Sequence, residues 1–478
     1  MFQQKVKIQN HMIIIFGALT NHIKKNIIPA LYKLYETGYV SQTTPILCVG
    51  KEKMTKSNYI DLIEAEKNLP FVNTNILSGF LQLINYVKHD IESKDYTSLV
   101  SSVSRLDKVN NCKGNKILLF LDLEDNFEQL IENIKKSKVT LGRGWTRVSY
   151  ENNFFDNFEK TKKINKNLNE ITKEDDIFRI TNAPSKNILE NLIYLKNKNP
   201  IIGKVMNNEC IDNVQITLFS KNDTTNINNY DEFGEINHVI TSYGLDLMNY
   251  ITLNSLKNCN EDAIKKETIN FLKNISKPTI KDVVFGQYGN GKINDKKILA
   301  YKKQDTKLKE SKTETFCLVK LKTKDKNWKN VPFYIRSAKA LYDLIKIEFI
   351  LKESKNNSLN FKEKNNIITF NIFPEEYIGI NLNLITKTED KTENEVILKS
   401  KINKKEMIDF YEEIIYDIII SEKVRFKTLK ELEILSLFSL NLKKLLNNKK
   451  TKFPNYNAGD KPPKETELFI KKEKKEWI

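Results

Sequence analysis

Three short apolar runs constrain this chain more than any other feature: Ile13 to Phe16, Pro45 to Gly50 and Lys116 to Leu121. None alternates polar with apolar residues, and amphipathic stretches separate them. In the first such stretch Ile23, Ile27, Leu31 and Leu34 recur at helical spacing. Uninterrupted strands of this kind are buried on both faces, so the pattern predicts a parallel sheet covered by helices. Pro29 falls inside the helical pattern and predicts a kink or an early helix position. The segment Gly17 to Ile23 follows a strand and opens a helix, the context a dinucleotide-binding turn requires. Thr20 stands where a second glycine would let the backbone approach a pyrophosphate. Lys51 and Lys53, just past the second run, stand where such a fold reads the ribose or its phosphate.

Beyond the charged stretch Asn157 to Asp176 the pattern changes. Val214 to Phe219, Cys317 to Leu321, Lys346 to Leu351, Ile367 to Ile372 and Ile378 to Leu384 read as strands of a large, mostly antiparallel sheet. Helical patterns fill Lys186 to Tyr194, Val239 to Leu256 and Lys404 to Leu446. The expected fold is α/β plus α+β: a Rossmann-like coenzyme domain over residues 1–178, then a larger domain over residues 179–478.

Composition removes several function classes. The net charge of +17 suggests nucleic acid, but only six of the 78 basic residues are Arg, the side chain whose planar fork suits phosphates and guanine edges. No nucleic-acid partner is expected. The longest apolar run, Met12 to Leu19 interrupted by Gly17, is short of the roughly 20 residues a membrane span needs, so no membrane partner is expected. Five widely spaced Cys with no C-x-x-C pair read as reduced thiols in a cytoplasmic protein, without a metal site.

Several segments together resemble the glucose-6-phosphate dehydrogenases, in that family's order. Ile14-Ile15-Phe16-Gly17-Ala18 is similar to the cofactor turn. Phe178-Arg179-Ile180-Thr181-Asn182-Ala183-Pro184-Ser185-Lys186-Asn187 takes the place of the Y-R-I-D-H-Y-L-G-K-E signature. Tyr230-Asp231-Glu232-Phe233-Gly234, Gly286-Gln287-Tyr288, Thr313-Glu314-Thr315-Phe316, Val331 to Arg336 and Asn455 to Gly459 also resemble family segments. The resemblance spans essentially the whole chain. It implies oxidation of glucose 6-phosphate at C1 with hydride passing to NADP or NAD, the first oxidative step of the pentose phosphate pathway, in a homodimer or homotetramer.

Carried onto this sequence, the family's working positions are partly changed. The general base, a His in R-D-x-x-Q-N-H-L, aligns with Tyr243, and His238 takes the place of a substrate-contacting Asp. Five residues apart on an α-helix, the two would lie about 140° apart around the axis. His238 is either a packing histidine or a substitute base. Asn182 replaces the signature's His, while Lys186 is retained. Lys339 matches the lysine of R-x-G-K-x-L; Lys346, two residues beyond the lost basic position Leu344, would share its strand face. Lys186, Lys339 and Lys346 are thus the expected phosphate contacts, and Lys221 takes the position of an acidic sugar contact. On the cofactor side Gly17, Thr20, Lys51, Lys53 and Asn152 are the expected contacts, Asn152 replacing a lysine, while carboxylates occupy Asp122 to Asp125 where the family has a proline pair. Two outcomes fit these residues: a working, rearranged dehydrogenase, or a catalytically inactive scaffold of the same fold.

Overall fold

The computed structural model describes residues 8–66, 74–90, 92–121, 127–151, 157–225, 230–253, 261–353, 365–385, 393–401 and 410–478. Its chain forms two compact units: Met1–Asn152 with Asn157–Thr181 and Met407–Lys430, and Asn153–Asp156 with Asn182–Glu406 and Glu431–Ile478.

The first unit is built on six strands: β1 (Met12–Phe16), β2 (Ile46–Gly50), β3 (Ile84–Lys88), β4 (Lys116–Phe120), β5 (Thr146–Glu151) and β6 (Ile177–Ile180). They lie in the order β3-β2-β1-β4-β5-β6, all parallel. Every residue of β1, β2 and β4 is buried, as runs without alternation require. Strand order reverses at β1, and ligands of open parallel sheets bind outside the carboxyl ends of the strands at such a switch point.

Pro29 lies inside a continuous helical segment, just past the junction of a π-helical and an α-helical stretch. The helix after β1 begins with a π-helical turn, Ile23–Ile27, and continues as the α-helix Ile28–Glu36, with Pro29 in its first turn. A proline lacks an N–H, and the wider π turn is one way a helix accommodates the gap.

The pattern Lys404 to Leu446 is not one helix. The described part gives Phe410–Ile420 and Leu429–Asn448, separated by a turn at whose start Ser421 adopts φ +61°. Arg425 in that turn is buried, bonding Asp417 at 2.7 Å and Glu413 at 2.6 Å. The first of these helices belongs to the first unit: Ile414, Ile415, Ile418 and Ile419 join the same apolar cluster as Ile23, Ile27 and Leu31. Periodicity announced an apolar face here, but not which core would take it.

The second unit carries an eight-stranded sheet. In chain order the strands of this unit are β7 (Ile211–Phe219), β8 (Val283–Gly286), the short β9 (Tyr288–Gly289), β10 (Gly291–Ile293) and β11 (Lys296–Ile298), β12 (Phe316–Leu321), β13 (Phe333–Ala338), β14 (Leu344–Leu351), β15 (Ile367–Phe373), β16 (Tyr377–Ile385), β17 (Glu393–Lys401) and the short β18 (Tyr456–Asn457). The large sheet runs β17-β16-β15-β14-β7-β13-β12-β8 and is antiparallel except at β7–β13. The expected helix Val239 to Leu256 is, in its described part, a π-helix Ile236–Gly244 followed by the α-helix Leu245–Thr252. The π-helix packs on the sheet face carrying Ile335 and Leu218; a Cβ added to Gly244 would lie 2.9 Å from Ile335 Cγ2.

Candidate active site

In the first unit the turn after β1 has the form a dinucleotide needs. Gly17 takes φ +78°, and Thr20 N bonds back to Gly17 O at 3.0 Å. Thr20 Oγ1 accepts the Ile23 N–H at 3.4 Å, so Thr20 caps the helix start. Ala18 is fully buried, its carbonyl taking the Tyr59 hydroxyl at 3.0 Å. Exposed Lys51 and Lys53 follow the carboxyl end of β2. These residues fit a dinucleotide: the turn presents backbone and a helix start, and the lysines are free to approach a 2′-phosphate. A detail not foreseen is His22, whose Nε2 lies 3.4 Å from Glu151 Oε1 at the end of β5, with the Tyr411 ring at 4.9 Å. Asn152 and the carboxylates of Asp122 to Asp125 lie outside the described residues.

In the second unit the chain kinks at Gly234, which adopts φ +61° within the segment Tyr230–Glu235, just before the π-helix Ile236–Gly244. Two buried carboxylates fix this kink. Glu314 accepts the Ile236 N–H at 2.9 Å, and burial pushes its carboxyl up to about 7. Glu235 accepts the Tyr230 hydroxyl at 2.6 Å and the Ser337 hydroxyl at 2.5 Å. A Cβ at Gly234 would stand 2.4 Å from Glu314 Oε1 in a backbone region that non-glycine residues avoid. Gly234→Ala therefore costs about 2–4 kcal/mol of stability, the scale of buried strain with a displaced polar group. Urea unfolding measures it; a loss under about 0.5 kcal/mol, the range of neutral surface changes, contradicts this account.

The π-helix changes the relation between His238 and Tyr243. Its bonds run i→i+5, as in Leu245 N to Ile240 O, so residues five apart fall one turn apart rather than about 140° around the axis. Asn182 Nδ2 donates to the His238 carbonyl at 2.7 Å, and Ser242 Oγ to the same oxygen at 2.9 Å. Asn182 thus holds the π-helix backbone. Burial raises the Tyr243 phenol well above its ordinary value. Burial first, and the Lys339 ammonium second, bring His238 down to about 3, so its imidazole is neutral at pH 7.

Lys339 is only 8% exposed, and among the described residues its ammonium has no carboxylate partner. Its backbone is clamped: Lys339 N to Thr315 O at 2.9 Å and the Tyr456 hydroxyl to Lys339 O at 2.9 Å. The next residue, Ala340, takes φ +54° and is bonded on both sides, to Asn222 O and from Gly459 N. Strain of this sort persists only where the surroundings over-determine it. An uncompensated, positioned ammonium beside a neutral imidazole is suited to an anionic ligand.

Lys221 and Lys346 do not join this group. Lys221 is exposed and pairs with Asp343 at 2.9 Å. Lys346 does share the face of Leu344, but its row across the sheet is Arg336, Thr217 and Lys346, opposite the face that carries the π-helix. There it bonds Glu348 at 2.7 Å and the Ile478 carbonyl at 2.7 Å. Lys186 opens the helix Lys186–Lys198 behind the Ser185 cap; its side chain lies outside the described residues.

Two histidines held below their ordinary range also set the response to acid. His238 at about 3 and His11 at about 4 both lie below the ordinary 6.5. The unfolded chain therefore takes up protons there that the fold refuses, and stability falls as pH drops from 6.5 toward those values. Glu314 acts oppositely, because its raised carboxyl binds a proton in the fold before the unfolded chain does, and this contribution is lost as pH rises from 4.5 to 7. His238→Gln removes one acid-labile group, so relative to the parent it gains about 1.4 kcal/mol per pH unit on acidification below 6.5. Parallel denaturation curves for the two proteins across that window contradict it.

A parallel sheet of this order with a glycine turn at its switch point is a Rossmann-like fold of the dinucleotide-binding class, in a chain whose second unit carries a mostly antiparallel sheet. The family model for the glucose-6-phosphate dehydrogenase NAD binding domain matches residues 14–191, and that for the C-terminal domain of the same enzyme matches residues 193–478. The chain belongs to the glucose-6-phosphate dehydrogenase family. Relatives include the glucose-6-phosphate 1-dehydrogenase of Chlamydia pneumoniae, 26% identical with 98% of this chain and 95% of that protein covered. That of Saccharomyces cerevisiae is 24% identical, with 98% and 94% covered. Among solved structures, a glucose-6-phosphate dehydrogenase in complex with its substrate glucose-6-phosphate superposes with TM-score 0.86 at 22% identity, covering 98% of this chain and 99% of that one. The enzyme from Mycobacterium avium gives 0.79 at 18%, with 97% of each covered. These two show the shared fold.

Proposed function

We propose that this chain binds glucose 6-phosphate through Lys339 and NADP, or NAD, through the Gly17–Thr20 turn with Lys51 and Lys53, and oxidises C1 slowly at neutral pH. The observation that carries the reading is the buried, clamped Lys339 ammonium with no carboxylate partner among the described residues, in a chain matched along its length by family models. In the reaction a hydride leaves C1, the C1 hydroxyl gives up its proton, and the lactone carbonyl forms. NADP, when bound, supplies the hydride acceptor. The protein's task is the proton. At the position the family resemblance gives to the base stands Tyr243, whose buried phenol holds its own proton at pH 7. His238 has a free lone pair there, but a group that protonates only near 3 is a weak base. The proton then passes to solvent, and the rate lacks the ~10²–10⁴-fold a matched base contributes.

The raised Tyr243 phenol equally favours a second reading, a folded scaffold of this family without turnover. Purified protein incubated with glucose 6-phosphate and NADP, followed by NADPH absorbance and by melting temperature with each ligand alone, separates the two. Slow NADPH formation with a melting shift from each ligand supports the dehydrogenase. Shifts without product support the scaffold, and no shift from either ligand removes both binding assignments. The resemblance also carries a cytoplasmic homodimer or homotetramer. Exposed Ile397 and Leu398 on edge strand β17 support a sheet-borne contact.

A further inference from the structure

At the amino ends of β4 and β5, on the side of the parallel sheet away from the coenzyme turn, lies a cavity of about 190 Å³. Four basic side chains line it, Lys113, Lys116, Lys138 and Arg143, against one carboxylate, Asp107. Asp107 is already engaged, its Oδ1 accepting the Gly114 N–H at 2.8 Å. Lys116 is 3% exposed, and its ammonium donates to a single acceptor among the described residues, Leu141 O at 3.3 Å. An ammonium has three donors, so this buried group is short of hydrogen-bond acceptors, the Asp107 carboxylate lying near enough to offset part of its charge. Burial lowers its proton affinity accordingly.

The walls are held in a demanding conformation. Lys113 and Lys138 both adopt left-handed backbone, at φ +57° and +64°. Two glycine loops cross beside them so closely that a Cβ on Gly144 would stand 2.2 Å from the Gly114 carbonyl carbon. Residues held off their preferred backbone thus set the exposed side chains of Lys113, Lys138 and Arg143 around a roomy cavity whose wall carries the buried Lys116 ammonium. We propose that this cavity binds a compact, multiply charged phosphate anion, either free or as the diphosphate of a nucleotide. The three ammonium groups act as point charges, and Arg143 offers a bidentate fork.

Thermal unfolding of the full chain with pyrophosphate, at ionic strength matched with sodium chloride, tests this. A saturable rise in melting temperature is expected, with the half-maximal concentration at least about tenfold higher in both Arg143→Ala and Lys116→Met. Should Lys116→Met fail to fold, the exposed Arg143 still decides. Lys51→Ala/Lys53→Ala, altered at the coenzyme turn, should keep the parental response. ADP acting at lower concentration than pyrophosphate through the same variants identifies a nucleotide, and the reverse order a free anion. No rise at millimolar pyrophosphate, a rise equal in parent and Arg143→Ala, or one removed by Lys51→Ala/Lys53→Ala overturns the proposal.

Discussion

Tyr243→His raises NADPH formation from glucose 6-phosphate at neutral pH by about 10²-fold, the lower end of what a general base contributes. The argument rests on proton affinity. The phenol at this position starts near 10 and burial raises it further, so almost none is ionised at pH 7. An imidazole starts near 6.5 and is mostly unprotonated there. Burial in the same place lowers the imidazole's proton affinity as it does at His238, which keeps the ring neutral but holds the gain to the lower end of that range. The π-helix that carries position 243 is anchored independently, through Asn182 and Ser242 on the His238 carbonyl, so the exchange leaves its backbone supports intact. Steady-state rates at saturating substrate measure the effect. Equal rates in parent and variant would mean that position 243 does not face the reacting hydroxyl.

Lys339→Met weakens glucose 6-phosphate binding by roughly 10- to 100-fold, the worth of a hydrogen bond to a charged partner. The methionine fills similar volume and leaves the backbone bonds at Thr315 O and Tyr456 in place, so folding should be retained. A second readout separates binding from mere structure. Lys339 is the neighbouring charge that lowers His238, so in the variant the imidazole titrates higher, yet still below 6.5 because burial is the larger cause. Calorimetric titration with glucose 6-phosphate and the pH titration of the His238 ring signals check both effects. Unchanged affinity would move the phosphate site elsewhere in the second unit.

In the first unit β1, β2 and β4 were legible because they are short, apolar and unalternating, and burial on both faces leaves little else they can do. Strands β3, β5 and β6, interrupted by Asn85, Arg147, Ser149 and Arg179, were not legible as strands. In the large sheet of the second unit β7, β12, β14, β15 and β16 were legible from patterning, whereas β8, β13 and β17 were not. The family segments fell in order along both units. The side-chain partnerships were not. Nothing local in Lys346 tells that Glu348 and the Ile478 carbonyl claim it on the far sheet face. Asn182 stands at the signature's His position, and its donation to a carbonyl of the π-helix cannot be read from that letter. The π turns themselves escape a reading based on 3.6-residue periodicity, and with them the changed spacing of His238 and Tyr243 around the helix. Glu235 and Glu314 are ordinary charged letters until folding buries both around Gly234.

The pH dependence of turnover tests most directly whether the proton step lacks a matched base. Rates of NADPH formation at saturating glucose 6-phosphate should climb steadily from pH 6 to beyond 9, following hydroxide or the slow ionisation of Tyr243. A rate that levels off above about pH 7 would reveal a residue titrating near neutrality beside the sugar, and the account given for Tyr243 and His238 would be wrong.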